Sequence, residues 1–248
     1  MRLTQQHYPH HLALPLLAAG LLFASSAQAG AQAHTPLSAS VRAVLQRSVS
    51  DQAVPKPVFA SQYEADVWLN EMSRRLQKWM PDTEYRTDFL KTVHYEAKRA
   101  GVDPQMVLGL IEVESGFKKY AVSSAGARGY MQVMPFWVKE IGTPDHNLFH
   151  LRTNLRYGCT ILRHYLDMEN GNLYRALGRY NGSLGRPEYP NMVRAAWHKY
   201  WDSTPKLRSS LSARSAEKLS ATPPSGTPAN PASTAVISCG YILPRCRA

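Results

Sequence analysis

The chain has 248 residues, 44% hydrophobic and 19% charged, proportions that exclude a protein disordered, collagenous or coiled-coil throughout. Its 29 Lys and Arg against 18 Asp and Glu give a formal charge of +11. Of these, 19 basic and 16 acidic residues lie between Pro57 and Thr204 and the other 10 and 2 lie in the flanks, so the excess belongs to the flanks and no nucleic-acid partner is expected.

Residues 1–29 carry Arg2, the apolar run Leu12 to Phe23 and the small residues Ser26-Ala27-Gln28-Ala29, the three regions of a cleavable secretory signal. The mature, exported chain is expected to start near Gly30. No Cys neighbours that site, so no lipoprotein anchor is expected. The apolar run is too short for an ordinary membrane span, and no later run is long enough. Residues 30–56, rich in Ala, Ser and Pro, read as a flexible leader. Residues 57–204 read as one domain. Residues 205–248 form a basic Pro/Ser/Ala-rich tail with too little apolar surface to offset its ordering entropy.

Within the domain, Leu69, Met72, Leu76 and Trp79 recur at helical spacing behind the capping-box sequence Ser61-Gln62-Tyr63-Glu64, with Pro81 beyond them. A second helix is expected from Thr83 to Ala100, with Phe89, Leu90, Val93 and Ala97 inward and Gly101 as its stop. Asp103 as N-cap and Pro104 at the first helical position open a third, which carries Met106, Val107, Leu110, Ile111 and Glu114 along one side. Further helical patterns run near Pro135 to Ile141, Thr153 to Met168, Leu173 to Tyr180 and Tyr189 to Trp201, with no alternating strand pattern between them. The expected fold is all-α, or α with minimal β: a single compact domain of short packed helices.

Cys159 lies on an apolar helical stripe with Leu155, Leu162 and Leu166, where a buried inert thiol is expected. Cys239 and Cys246 are close enough in sequence to close a small disulfide loop in an oxidising compartment. No His, Cys and carboxylate cluster has ligand spacing, so neither a metal nor a cofactor is expected.

A carboxylate on an apolar stripe calls for an explanation. Burial of Glu114 would raise its pKa, the condition for a carboxylic acid that holds a proton near neutral pH and delivers it to a leaving oxygen. Periodicity alone leaves a second account open, a solvated or ion-paired Glu at a helix end. Glu112, two residues away, projects to another side of the helix.

The wider pattern is more specific. Glu114-Ser115-Gly116-Phe117, then Ala121-Val122-Ser123, then Gly126-Ala127-Arg128-Gly129-Tyr130-Met131-Gln132-Val133-Met134-Pro135 closely resembles the signature of the soluble lytic murein transglycosylases. Two further blocks, Asn154-Leu155-Arg156-Tyr157-Gly158 and Ala176-Leu177-Gly178-Arg179-Tyr180-Asn181-Gly182, agree in order and spacing. The resemblance covers residues 102–200. It implies a lysozyme-like helical fold and cleavage of the β-1,4 bond between N-acetylmuramic acid and N-acetylglucosamine without water. Glu114 would protonate the glycosidic oxygen, then take the C6 hydroxyl proton as a 1,6-anhydro ring closes. By the same resemblance Ser123 orients the muramoyl group, Gln132, Met134 and Asn181 line the substrate groove, and Tyr180 stands near the acid. Asn154 reads as a structural brace and the matched glycines as close-approach positions. The implied partner is the peptidoglycan glycan strand in the periplasm, engaged by a monomer, with cell-envelope machinery as a candidate further partner.

Tyr130 stands where the family commonly has Leu, and Arg179 and Gly182-Ser183 also depart from its usual residues, which bears on groove lining. Two other readings stay open at this stage: a hydrolytic muramidase resembling goose-type lysozyme, and a catalytically silent peptidoglycan-binding or envelope-assembly factor. No second carboxylate falls in a matched block, where hydrolysis usually needs one.

Overall fold

A computed structural model describes Gln32, residues 34–50 and residues 59–202. The expected signal peptide (1–29), the tail (205–248) and the Cys239/Cys246 pair lie outside the described residues. Eight α-helices follow one another: α1 (Ala39–Ser50), α2 (Gln62–Leu76), α3 (Thr83–Arg99), α4 (Pro104–Ser115), α5 (Phe136–Ile141), α6 (Leu151–Met168), α7 (Leu173–Asn181) and α8 (Glu188–Ala196), and α8 runs into a π-helical turn, Trp197–Trp201. Among the described residues the only β features are the isolated antiparallel bridges Val122–Arg128 and Arg128–Val133. The fold is all-α, as the periodicity implies.

The helix boundaries follow from local chemistry. Asp103 accepts from the backbone N–H of Gln105 and of Met106, each at 2.8 Å, and satisfies two of the donors that a helix start leaves unpaired. At the other end of α4, Gly116 takes the left-handed conformation with φ 55°, a stop that glycine adopts without steric cost. In α2, Ser61 accepts from the Glu64 N–H, while the Glu64 carboxylate reaches back to the Ala60 N–H at 2.8 Å. That is the capping-box exchange, displaced by one residue on its return limb.

α4 lies at the centre and packs against α3, α8 and the π-helical turn. Val107, Leu108, Leu110 and Ile111 are completely buried, and removing each from water contributes roughly 1.5–3 kcal/mol. Gly109 lets the π-helical turn approach: a Cβ there would stand 2.8 Å from the Trp197 backbone nitrogen. The turn closes the domain, because Arg75 donates to the Tyr200 carbonyl at 2.6 Å and Gln105 to the Trp201 carbonyl at 3.1 Å.

One expectation is corrected. The stretch 30–56, read as a flexible leader, contains helix α1, whose Leu45 and Val49 are buried where it packs on α6, and Arg99 donates to the Ser48 carbonyl at 2.8 Å. Leu45 and Val49 are four residues apart, and so share a helical face. The Ala/Ser-rich composition around them hides this short stripe. Cys159 is fully buried and free, and burial pushes its thiol far above the ordinary range, as expected of an inert core cysteine.

Candidate active site

Glu114 sits one residue before the C-terminal end of α4 and is only 6% exposed. Its position follows from the face it shares with Met106, Leu110 and Ile111, which seat it inward. The Tyr189 hydroxyl donates to Glu114 Oε1 at 2.5 Å, and Oε2 has no hydrogen-bond partner among the described residues. Burial pushes the Glu114 carboxyl up to about 8, and the tyrosine bond pulls weakly the other way. The group therefore holds its proton at neutral pH, and among the described residues no cation is paired with it. Glu112 instead accepts from the Trp201 indole N–H at 2.7 Å, anchoring the π-helical turn.

The chain from Gly116 to Met134 wraps past this helix end and is tied down from several sides. The Ser115 hydroxyl donates to the Tyr130 carbonyl at 2.8 Å. Asn154, at the start of α6, accepts from the Met131 N–H and donates to the carbonyls of Arg128 and Leu148, all at 2.8 Å. One buried amide thus fixes three points of backbone, the bracing role read for it in the sequence. A Cβ on Gly158 would collide with the Met131 side chain, so glycine there lets α6 lie against this loop.

The other sequence-predicted positions fall around the loop. Ser123 Oγ accepts from the Ala127 N–H at 3.1 Å, and Met134 is half-buried. Gln132 is buried with φ 47°, and its amide donates to the carbonyls of Ala121 and Gly129 at 3.2 and 2.9 Å, bracing the loop internally. Tyr180 is fully buried on α7; its hydroxyl donates to the Met131 carbonyl at 2.7 Å, not to Glu114. Burial first, and the nearby Glu114 charge second, raise its phenol well above the ordinary range. Asn181 donates to Ser183 Oγ at 3.2 Å, and its buried Oδ1 has no hydrogen-bond partner among the described residues.

The residue that sequence reasoning missed is Tyr189. It lies 75 positions from Glu114, outside every matched block, and only the packing of α8 on α4 brings the two together. Its one signal in the sequence is a tyrosine in the first turn of an amphipathic helix, which ordinary core packing explains equally well. Tyr130, where the family commonly has Leu, buries its ring against Phe89 and shares a 2.6 Å hydroxyl contact with Tyr85. Arg179 pairs with Glu169.

An all-α domain whose central helix ends in a buried carboxylic acid beside a braced loop is the arrangement that the motif resemblance implies. The comparisons with known proteins agree. Residues 91–192 match the family described as Transglycosylase SLT domain. The chain is 34% identical over 113 residues to a protein named Membrane-bound lytic murein transglycosylase C from Haemophilus ducreyi, covering 39% of this chain and 31% of that protein. To a protein of the same name from Actinobacillus pleuropneumoniae serotype 5b it is 53% identical over 47 residues, 19% of this chain and 13% of that one. To a protein named Transglycosylase from Enterobacteria phage PRD1 it is 29% identical over 118 residues, 48% and 39%. Residues 91–192 are thus similar to the SLT-type lytic transglycosylase domain, and the matches span 13–39% of these relatives' own lengths. No helix among the described residues is long and apolar enough to cross a membrane.

Proposed function

We propose that this protein is an exported peptidoglycan lytic transglycosylase that works in the periplasm, with Glu114 as its acid and then its base. The observation that carries the reading is the state of Glu114: buried, protonated at neutral pH, and placed where the motif-bearing loop meets the end of α4. As an acid it would give its proton to the glycosidic oxygen as the bond from the muramoyl C1 breaks. The resulting carboxylate would take the proton from the C6 hydroxyl, whose oxygen closes on C1 to form the 1,6-anhydro ring. The glucosamine end leaves as an alcohol, Glu114 ends protonated as it began, and no water is consumed. Tyr189 would hold the carboxyl group in place through both steps, and Tyr180, Ser123, Gln132, Met134 and Asn181 would shape the groove.

Of the four acids between Glu114 and Tyr180, three are ion-paired. Glu140 pairs with Arg42 and His34, Asp167 with Arg163, and Glu169 with Arg175 and Arg179. Asp145 lines a separate cavity. Hydrolysis by the usual two-carboxyl route needs a second carboxyl group across the scissile bond, so these ion pairs weigh against that route, and product chemistry separates ring closure from a single-Glu muramidase.

The test is mass spectrometry of purified sacculi treated with the mature protein and with Glu114→Gln. Anhydromuramoyl ends that disappear with the variant are the expected result. Reducing muramic acid ends would establish a muramidase, and binding without any product would establish a silent cell-wall binder.

A further inference from the structure

Two short segments of the sequence combine cations with aromatic rings: Arg74-Arg75-Leu76-Gln77-Lys78-Trp79 at the end of α2, and Trp197-His198-Lys199-Tyr200-Trp201 in the π-helical turn. The fold sets them side by side, since Arg75 donates to the Tyr200 carbonyl across 125 positions. Together they line a surface cavity of about 430 Å³. None of the groups assigned to the sugar chemistry belongs to it.

The base of this face is rigid. Trp79, half-buried, packs against Phe117 and Trp201 with ring centroids 5.0 and 5.8 Å away, and Trp201 is fully buried with its indole bonded to Glu112. Tyr200 remains 39% exposed. The Lys78 ammonium stands 3.7 Å from the Trp79 centroid and 5.4 Å from that of Tyr200, and the Lys199 ammonium stands 5.0 Å from the same tyrosine centroid. The rings hold these cations in place without neutralising them. The acids nearby are committed: Glu71 to Arg74 and Arg75 at 3.0 and 2.7 Å, and Asp202 to His198 at 3.7 Å. Neither Lys78 nor Lys199 has a carboxylate partner among the described residues. Two like charges that share one tyrosine ring repel each other, and an anion brought to the face relieves that repulsion.

Cations beside half-sunk tryptophan and tyrosine rings match the boundary of an anionic phospholipid bilayer, where phosphates meet the acyl chains. Amphipathic rings settle at that depth, and lysine stems lie along apolar surface while their ammonium groups reach the headgroups. A soluble polyanion would use the charges and leave the exposed ring idle. Residues 203–248, which continue the chain from this face, hold six Lys and Arg against one Glu, a charge of the same sign. We propose that this face docks the protein on an anionic phospholipid surface, with Lys78 and Lys199 on headgroup phosphates and Tyr200 in the interface. The folded surface itself then holds the domain at a membrane, reversibly, in a way that needs neither a membrane-spanning helix nor a covalent lipid.

The test sediments the full mature chain with vesicles of phosphatidylcholine alone and with vesicles that also contain phosphatidylglycerol. The protein is expected on the anionic vesicles only, and should leave them as salt rises. Lys78→Gln and Lys199→Gln should each weaken that binding about fivefold and together about 25-fold, from the contribution of one lysine near an anionic surface; thermal melts check that each variant is folded. Tyr200→Ser, which keeps every charge, should weaken it as well. Binding unchanged in both lysine variants would assign the attachment to residues 203–248 and overturn the proposal. So would equal binding to neutral vesicles, or undiminished binding by Tyr200→Ser. Lysine-dependent binding to soluble polyglutamate with none to vesicles would overturn it in favour of an acidic protein partner. Glu114→Gln should bind vesicles as the unmodified protein does, so the result is independent of the transglycosylase reading.

Discussion

Of the three carboxylates buried among the described residues, Glu96 and Glu114 have opposite surroundings. Glu96 on α3, completely buried, is met by Arg99 of the same helix at 2.9 Å, by Arg156 at 2.9 Å and by Arg152 at 3.6 Å, and the last two contacts tie α3 to α6. Glu114 on α4 is met by a tyrosine hydroxyl alone. Guanidinium groups around a buried acid make it a joint between helices. An apolar enclosure with one neutral donor turns the same side chain into a store for a proton. What distinguishes structure from chemistry here is the company of the carboxylate, since both are almost fully shielded from water.

Substitutions can break that contrast. Glu114→Gln keeps the shape and removes the transferable proton, so turnover of sacculi should fall by about 10²–10⁴-fold, the usual contribution of a general acid. A loss under tenfold in a quantitative muropeptide assay would remove Glu114 from the chemistry. The same variant should be the more stable protein at alkaline pH. An unfolded Glu ionises above its ordinary value of about 4.5, whereas folded Glu114 keeps its proton until about 8, so this group makes the fold less stable as pH rises between those values. The penalty is complete above pH 8 and amounts to at most about 5 kcal/mol. Thermal melts at pH 5 and pH 8.5 should show an advantage for the variant that widens with pH.

Glu96→Gln should act the other way, destabilising the fold by about 3 kcal/mol because it leaves buried guanidinium groups short of a counter-charge. It should leave the per-molecule rate of the folded fraction intact. Denaturant titration together with active-site-normalised rates separates the two effects. The smallest change is expected from Tyr189→Phe. Its hydroxyl lowers the Glu114 pKa, so its removal should move the alkaline limb of the pH–rate profile upward and reduce kcat/KM by about tenfold. An unmoved limb would show that Tyr189 only packs.

Much of this contrast is legible in the sequence itself. Asp103-Pro104 and Gly116 mark the ends of α4, and the 3.6-residue period puts Glu114 inward, because capping and periodicity are local properties of the chain. The motif blocks place the loop and its Asn154 brace. Tyr189 is illegible there for the converse reason: its contact with Glu114 is created by the packing of α8 on α4, and no local pattern encodes it. Gln132 reads as a groove residue, yet its side-chain amide bonds the loop's own carbonyls, a use that follows from its positive φ. α1 escapes a sequence reading because two inward residues, Leu45 and Val49, are a weak signal among exposed Ala and Ser.

The π-helical turn that follows α8 has a bearing on the order in which the domain can assemble. The bond from Arg75 to the Tyr200 carbonyl spans 125 positions, and Trp201 is fully buried with its ring beside Trp79 and Phe117. Contacts between segments so far apart repay their loop-closure entropy only after the intervening helices have found one another. The turn, which touches both α2 and α4, is thus a joint that needs residue 201 in place before it can be made.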